Sequence, residues 1–398
     1  MGAELVGGYD EAQSGFLCRA TASTEDVITS IECMKIEKTV NYLLVTLLGF
    51  AALSLLTGLY SGIGRMGAGW GGHQYLSPML HGSLMINGFL GTLIGLERAA
   101  ALEKAWAYGA PVFFAIGAVM LLFVSGFWAK LLFITASVFL VMIMLFLYRL
   151  QSEAYHLIMI LGAACLLTGN ILLFMGSSIF NLVVWWAGFL LLTIFAERLE
   201  LNRIMRPSQR ARSFFVALAL LWIAGIILTY IDRRMGWTVA SVSLIAQALW
   251  LFKYDVARRT IKARDWTRYS AIALLTGYGW LVAAGLFGLW YGLPFAGLSY
   301  DAQLHMIFIG FVFSMIFAHA SVIIPSLSGK LIPYHSYFYI PLIFLHAFLG
   351  MRVIGDILAM PDIRMIGGHG NVLAILLFLG GILFQLGKQS FHKKPQTA

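Results

Sequence analysis

The sequence predicts an all-α fold, a polytopic membrane bundle of twelve transmembrane helices. The first observation is composition: 60% of the 398 residues are hydrophobic, only 11% are charged, and the mean hydropathy is +0.84. A water-soluble domain of this size and composition would expose large apolar patches. The second observation is that the apolar runs have the length of about 20 residues that a helix needs to cross roughly 30 Å of hydrocarbon. The third is the distribution of positive charge between the runs.

The apolar runs give twelve predicted spans, with boundaries set to within about 2–4 residues. They cover residues 41–63, 78–97, 107–126, 128–148, 156–175, 179–197, 212–231, 236–253, 268–290, 302–324, 336–357 and 364–386. Because a backbone in lipid must satisfy its own polar groups, runs of this length are expected to be helices. The two longest connections, about 197–212 and 253–268, are rich in arginine and are predicted to lie at the lipid headgroups.

Positive charge supports this count and gives an orientation. If residue 41 enters from the cytoplasm, 20 of the 27 Lys and Arg residues fall in inner segments and 5 in outer loops. Cytoplasmic loops carry such an excess. The sequence therefore predicts a multi-pass protein of the bacterial inner (cytoplasmic) membrane with both termini in the cytoplasm. The same rule, together with contact with anionic membrane lipids, explains the net charge of +9, so no nucleic-acid partner is indicated.

The two ends of the chain differ from the span region. Residues 1–40 contain no apolar run and mix small, polar and acidic residues, so they are predicted to be a disordered N-terminal extension. Met34, directly before two lysines and the first span, is an alternative start. Residues 41–386 form one predicted transmembrane domain, and residues 387–398 a cytoplasmic tail.

The predicted spans contain His81, His305, His346 and His369 in their outer half or near mid-membrane. His319, 14 residues after His305, is expected about 21 Å deeper and cannot share a metal with it. Ionisable side chains are costly in lipid, so they indicate a bound metal, a cofactor or a proton path. His81, His305 and His369 fall about three to six residues below the outer boundary, which is roughly 5–9 Å at the helical rise. His346 is expected near mid-membrane. The sequence thus predicts that one layer contains His81, His305 and His369.

This layer could hold a haem. A planar macrocycle between two helices needs an axial imidazole from each and small residues that admit the ring. His81, Gly88 and Gly95 recur every seven residues and are predicted to line one face of the second span, leaving room beneath His81. Gly88, Gly91 and Gly95 also permit close helix packing. His305, on the tenth span, is the predicted second ligand.

The charged residues and the other histidines leave alternatives open. Arg352 in the eleventh span, or Arg65 in the first outer loop, could meet the propionates of a haem. A bare copper or zinc ion is the alternative, held by His305 and His369 with His346 or His73, since imidazole suits both metals.

Two other classes of protein fit the same residues. Arg352 and Asp356 are spaced i,i+4 and could simply neutralise each other within one helix. With the buried histidines, they could instead form the site of a proton-coupled secondary transporter. The third reading is a cofactor-free structural or assembly subunit, in which the histidines hydrogen-bond between helices.

Three segments carry a resemblance: HGSLMINGFLGTLIGLERAAAL (81–102), DAQLHMIFIGFVFSMIFAHASVIIPSLSGK (301–330) and HAFLGMRVIGDI (346–357). They resemble the NnrS family of twelve-helix membrane proteins and, more remotely, the catalytic subunit of haem-copper oxidases. His81, His305 and Gly310 fall on positions of the family motifs. The sequence departs from the family at SLSGK (326–330). The predicted sixth and seventh spans contain no histidine, so the copper centre of the oxidases is not expected.

The resemblance implies a membrane protein associated with haem, copper and the cellular response to nitric oxide. We therefore expect haem b near the periplasmic side, bound by His81 and His305. His369 and His346 are expected as secondary ligands or as a copper site, and Arg352 as a propionate partner. The expected role is nitric oxide sensing, relief or tolerance, or electron transfer, and the sequence leaves open whether the protein is an enzyme.

Overall fold

The structure is a computed structural model that describes residues 24–67, 76–293 and 296–392. Those residues form an all-α bundle without strands, and twelve of the helices are long and apolar enough to cross a membrane. The predicted fold class is confirmed. We number the spanning helices α1 (Tyr42–Arg65), α2 (Pro78–Leu102), α3 (Ala105–Phe123), α4 (Gly126–Leu150), α5 (Ala154–Phe174), α6 (Ile179–Met205), α7 (Gln209–Leu228), α8 (Arg233–Tyr254), α9 (Asp265–Tyr291), α10 (Leu298–Ser328), α11 (Ser336–Ile357) and α12 (Pro361–Lys388).

The chain ends differ from the prediction. A continuous helix, Thr24–Arg65, leads into and includes α1, so residues 24–40 of the predicted N-terminal extension are helical in the structure. At the other end the last helix continues to His392, into the predicted tail. The rest of the predicted disordered extension, residues 1–23, and residues 393–398 lie outside the described residues.

Three helices form the centre of the bundle. Consecutive helices pack as antiparallel hairpins, and α10 also contacts α1, α2 and α6. In the apolar stretch of each span, the buried share is 67% in α2, 78% in α6 and 61% in α10, against 33–56% in the other nine spans. A helix this buried is surrounded by protein rather than lipid and can carry polar side chains. The central helices are therefore where a buried site is expected.

Two of the central helices contain a π-helical segment. These are Leu84–Gly91 in α2 and Met306–Phe313 in α10, and they follow closely after His81 and His305. A π-helix has i→i+5 hydrogen bonds, so it inserts an extra residue into the turn, and such segments are frequent at functional sites. One consequence is that residues seven apart across the segment no longer share a face. The predicted common face of His81, Gly88 and Gly95 required a regular α-helix.

Glycines of α2 pack this helix against α3. A Cβ atom on Gly91 would lie 3.1 Å from the Phe114 ring, and one on Gly95 would lie 3.3 Å from the backbone nitrogen of Pro111. The close packing predicted for this glycine series is confirmed. It fixes the lower part of α2 against a neighbouring helix, below the histidine layer.

Candidate functional site

The His81 and His305 rings lie next to each other between α2 and α10. Their ring centres are 6.3 Å apart, and the ring planes differ by 23°. The two residues are distant in the sequence and come from different central helices. The predicted meeting of these two imidazoles at one depth is confirmed.

Each ring is oriented by a backbone carbonyl. His81 Nδ1 lies 2.8 Å from the carbonyl oxygen of Gly58, and His305 Nδ1 lies 2.8 Å from that of Asp301. A carbonyl oxygen only accepts, so Nδ1 carries the proton in both rings and Nε2 keeps its lone pair. Histidines that bind metals commonly use this arrangement, in which the second nitrogen donates to an oxygen. Both imidazoles are therefore set up as Nε2 ligands.

The spacing of the rings fits a shared metal. A metal bound at about 2.0–2.1 Å to one nitrogen of each imidazole would hold the ring centres roughly 6 Å apart. The observed distance of 6.3 Å agrees. The two imidazoles are therefore close enough that both could hold one iron or other metal ion.

The two histidines line a cavity that is apolar over most of its surface. It has about 1100 Å³ of space not filled by protein atoms, a volume that includes the open space at its mouth. Its charged lining residues are Arg65, Asp301 and Arg352. The neutral wall is formed by side chains of α1, α2, α6, α10 and α12, among them Leu59, Met85, Ile86, Leu90, Val183, Trp186, Phe308, Ile309, Val312, Val372 and Ile375. The cavity thus combines a mostly apolar wall with a charged end, as an amphiphilic ligand requires.

The small residue that makes room for His81 is on α1. A Cβ atom on Gly62 would lie 2.8 Å from His81 Nδ1, so only glycine leaves the ring in place. Gly62 was not predicted; the small residue expected to make room for His81 was Gly88. Because of the π-helical segment, Gly88 faces Ser54 and Ala118 instead, with a hypothetical Cβ 2.8 Å from Ser54 Oγ, and it does not line the cavity. The prediction that Gly88 leaves room beneath His81 is therefore wrong.

Ion pairs close the charged end of the cavity. Arg352 binds the carboxylate of Asp301 through two hydrogen bonds of 3.0 Å, from Nε and Nη2. Asp301 Oδ1 also lies 3.3 Å from His305 Nδ1. Arg364 Nη2 lies 3.5 Å from Asp301 Oδ2, and Arg364 Nε lies 2.8 Å from Asp356. The predicted pairing of Arg352 with Asp356 is wrong, because the planar guanidinium finds a bidentate carboxylate on α10 and the short α11–α12 connection brings Arg364 to Asp356.

The other two histidines do not join the pair. His346 Nδ1 accepts from Trp280 Nε1 at 3.0 Å, and its Nε2 lies 3.0 Å from Thr276 Oγ1. Both ring nitrogens are engaged, so the predicted role of His346 as a ligand does not fit this arrangement. His369 has Nδ1 2.8 Å from the carbonyl oxygen of Met365 and lines a separate, open groove between α11 and α12.

The predicted copper alternative needs more ligands than the pair provides. In the part of the chain that the structure describes, no group of three or more His, Cys, Asp and Glu side chains could hold a metal ion. His73, the remaining residue of that alternative, lies outside the described residues. The candidate site therefore consists of the two imidazoles of His81 and His305.

Comparison with protein families gives one match over most of the chain. The profile of a domain of unknown function (DUF8744) matches residues 44–386. The chain belongs to the DUF8744 family. The matched range contains both histidines, both π-helical segments and the ion pairs at the cavity. A comparison with curated proteins gives no match.

A second polar cluster of this DUF8744 protein lies at the opposite membrane face from the cavity. Arg198 of α6 donates to His319 Nε2 at 2.6 Å and lies 3.9 Å from Asp255. The buried Tyr278 hydroxyl donates to the same carboxylate at 3.0 Å. His319 is therefore held by an arginine, far from His305, as the spacing along α10 predicts. This cluster joins α6, α9 and α10 at the end of the bundle away from the cavity.

The cavity wall is fixed by a buried amide. Asn170 of α5 donates to Asn87 Oδ1 at 2.7 Å and to Ser137 Oγ at 2.8 Å, and it accepts from Trp186 Nε1 at 3.1 Å. Trp186 lines the cavity, so this network sets the position of its indole. These residues were not among the predicted site residues. The signal was present, because asparagine in a span is costly unless it is hydrogen-bonded.

Proposed function

We propose that this DUF8744 protein is a membrane haem protein that binds haem b between His81 and His305. The single observation that supports it is the imidazole pair in a mostly apolar cavity, with ring centres 6.3 Å apart and each Nδ1 against a backbone carbonyl. A bound haem would supply reversible one-electron chemistry at a buried position.

The chain's own residues have distinct parts in this proposal. His81 and His305 would hold the haem iron, and Gly62 keeps the space that the His81 ring occupies. Asp301 orients His305 through its backbone carbonyl and places a carboxylate near the same nitrogen. Arg352 uses Nε and Nη2 for Asp301, which leaves Nη1 available to a propionate.

Two protein ligands favour electron transfer as the role. If His81 and His305 both held the haem, the chain would supply two protein ligands, which is typical of electron-transfer haem sites. The NnrS resemblance implies a response to nitric oxide as the other role. The asymmetry of Lys and Arg supports a bacterial inner membrane with cytoplasmic termini, and the cavity would then open near the periplasmic side.

Spectroscopy of the purified protein tests this proposal. We expect a Soret band and a b-type pyridine haemochrome in the wild type, and loss of most haem in His81→Ala and in His305→Ala. His346→Ala is the matched control, because it removes a span histidine whose two nitrogens are already engaged, and it is expected to keep the spectrum. Wild-type protein without haem, or unchanged spectra in both ligand variants, would refute the assignment.

Gly62 gives a test that keeps both histidines. Gly62→Val is expected to lose most of the haem, because the new side chain must displace the His81 ring, 2.8 Å from the Cβ position. Gly49→Val, on the same helix, is the control, since nothing lies within 4 Å of a Cβ there. The haem content of the two purified variants is compared. Equal haem content would mean that the His81 ring position does not matter for binding.

A proton-coupled transporter is the second candidate, and one observation favours it. The cavity contains the Asp301–Arg352 ion pair, which is the type of group that transporters use for coupling. A haem-free protein that acidifies proteoliposomes when a solute gradient is applied would support this candidate. A haem-free protein without such activity would support the structural subunit instead.

A further inference from the structure

A groove of basic and aromatic residues lies at the membrane face opposite the histidine cavity. We propose that it binds the phosphate headgroup of an anionic phospholipid. The groove is formed where α9 begins and where the α10–α11 connection passes over it. It is lined by Arg264, Arg268, Tyr334 and Tyr339, with Asp265 at the rim and Ile272 deeper in the membrane.

The aromatic wall of this groove is rigid. Trp266 Nε1 donates to the carbonyl oxygen of Ile332 at 2.8 Å, which ties the α10–α11 connection to α9. The Trp266 ring packs on Phe338, with ring centres 4.7 Å apart, and on Tyr334, at 5.8 Å. A preformed wall lowers the ordering cost of binding. The groove is therefore a fixed concave surface and not a loop that must first fold.

The charge of the groove favours an anion. Arg264 and Arg268 are exposed and, among the residues that the structure describes, neither forms an ion pair. Asp265 contributes one negative charge. Arg258 and Arg259, on the short helix Ala257–Thr260 just before α9, add positive charge nearby. The local balance is positive, and guanidinium groups bind phosphate oxygens with charge-assisted hydrogen bonds.

The position in the membrane selects a lipid over free phosphate. The groove opens at the start of α9, on the face that carries most of the Lys and Arg residues of the sequence. Basic pockets at such a face bind anionic headgroups. Ile272 lies seven residues after Asp265, about 10 Å deeper along the helix, where an acyl chain would run. Free phosphate would use the arginines alone and leave this apolar side uncovered.

Native mass spectrometry of the full-length protein tests the site. The delipidated protein is titrated with phosphatidylglycerol or with phosphatidylcholine in mild detergent, and bound lipid is counted. We expect the wild type to hold one phosphatidylglycerol more tightly than phosphatidylcholine. Arg264→Gln/Arg268→Gln is expected to weaken that binding roughly 10- to 30-fold, since each arginine near the surface contributes about a factor of five.

The matched control keeps the same change of net charge. Arg258→Gln/Arg259→Gln removes two arginines of the same connection that do not line the groove. It is expected to weaken binding clearly less than the groove variant, because only the nearby positive charge is lost. Tyr334→Phe/Tyr339→Phe keeps the ring packing and removes the hydroxyls, so a smaller loss is expected. This variant also tests the site if the arginine variant does not fold.

Equal losses in both arginine variants, or none in any variant, would overturn the proposal. Full displacement of the lipid by millimolar inorganic phosphate would assign the groove to free phosphate and also overturn it. No outcome depends on haem.

Discussion

Asp301→Ala is expected to lower the free energy of unfolding by roughly 3–5 kcal/mol, because it breaks a mostly buried ion pair and leaves cations behind. The carboxylate accepts two hydrogen bonds from Arg352 and lies 3.5 Å from Arg364 Nη2. The side chain of Arg352 is only 9% exposed, so water cannot replace the lost partner. Denaturant titration of the detergent-solubilised protein, followed by tryptophan fluorescence, measures the change.

The control for this variant is Asp362→Ala. Asp362 is exposed in the first turn of α12, near the same membrane face, and its loss changes the net charge by the same amount. We expect a change of less than about 0.5 kcal/mol for this surface site. Asp301→Ala/Arg352→Leu should recover part of the stability, because the unpaired cation is also removed. If Asp301→Ala is as stable as Asp362→Ala, the ion pair does not stabilise the fold.

Much of the fold could be predicted because its signals are local. Apolar length predicts the number of spans, and the Lys and Arg asymmetry gives an expected orientation; neither requires knowledge of packing. The proximity of His81 and His305 could also be predicted, because both were expected at the same depth of one helical bundle. For the same reason His319 could be separated from His305 by helical rise alone.

The residues around the pair could not be predicted, because they depend on tertiary contacts. A regular α-helix puts Gly88 beneath His81, but the π-helical segment rotates it toward Ser54. Nothing in the local sequence LMINGFLG requires i→i+5 hydrogen bonds. The same limit applies to Arg352, whose nearest carboxylate in sequence is Asp356 but whose bidentate partner is on α10. Helix faces were predictable only where the helix is regular.

Gly367→Ala is expected to lower the free energy of unfolding by roughly 3 kcal/mol, the upper end of the usual cost of overpacking. A Cβ on Gly367 of α12 would clash with the backbone nitrogen of Arg352 on α11. Backbone cannot give way as a flexible side chain can, so the two helices must separate. Because Arg352 closes the charged end of the cavity, we also expect lower haem content. Thermal unfolding and the haem spectrum measure the two effects.

Gly350→Ala on α11 is the matched control, and its effect is expected to have the opposite sign. Nothing lies within 4 Å of a Cβ at Gly350, so the alanine meets open space. Replacing glycine by alanine inside a helix favours the helix by about 1 kcal/mol, so the variant should be as stable as the wild type or slightly more so. A similar loss in both variants would mean that glycine is needed along α11 and α12 for a reason other than contact. Opposite signs would show that the close approach at Gly367 holds Arg352 against the cavity.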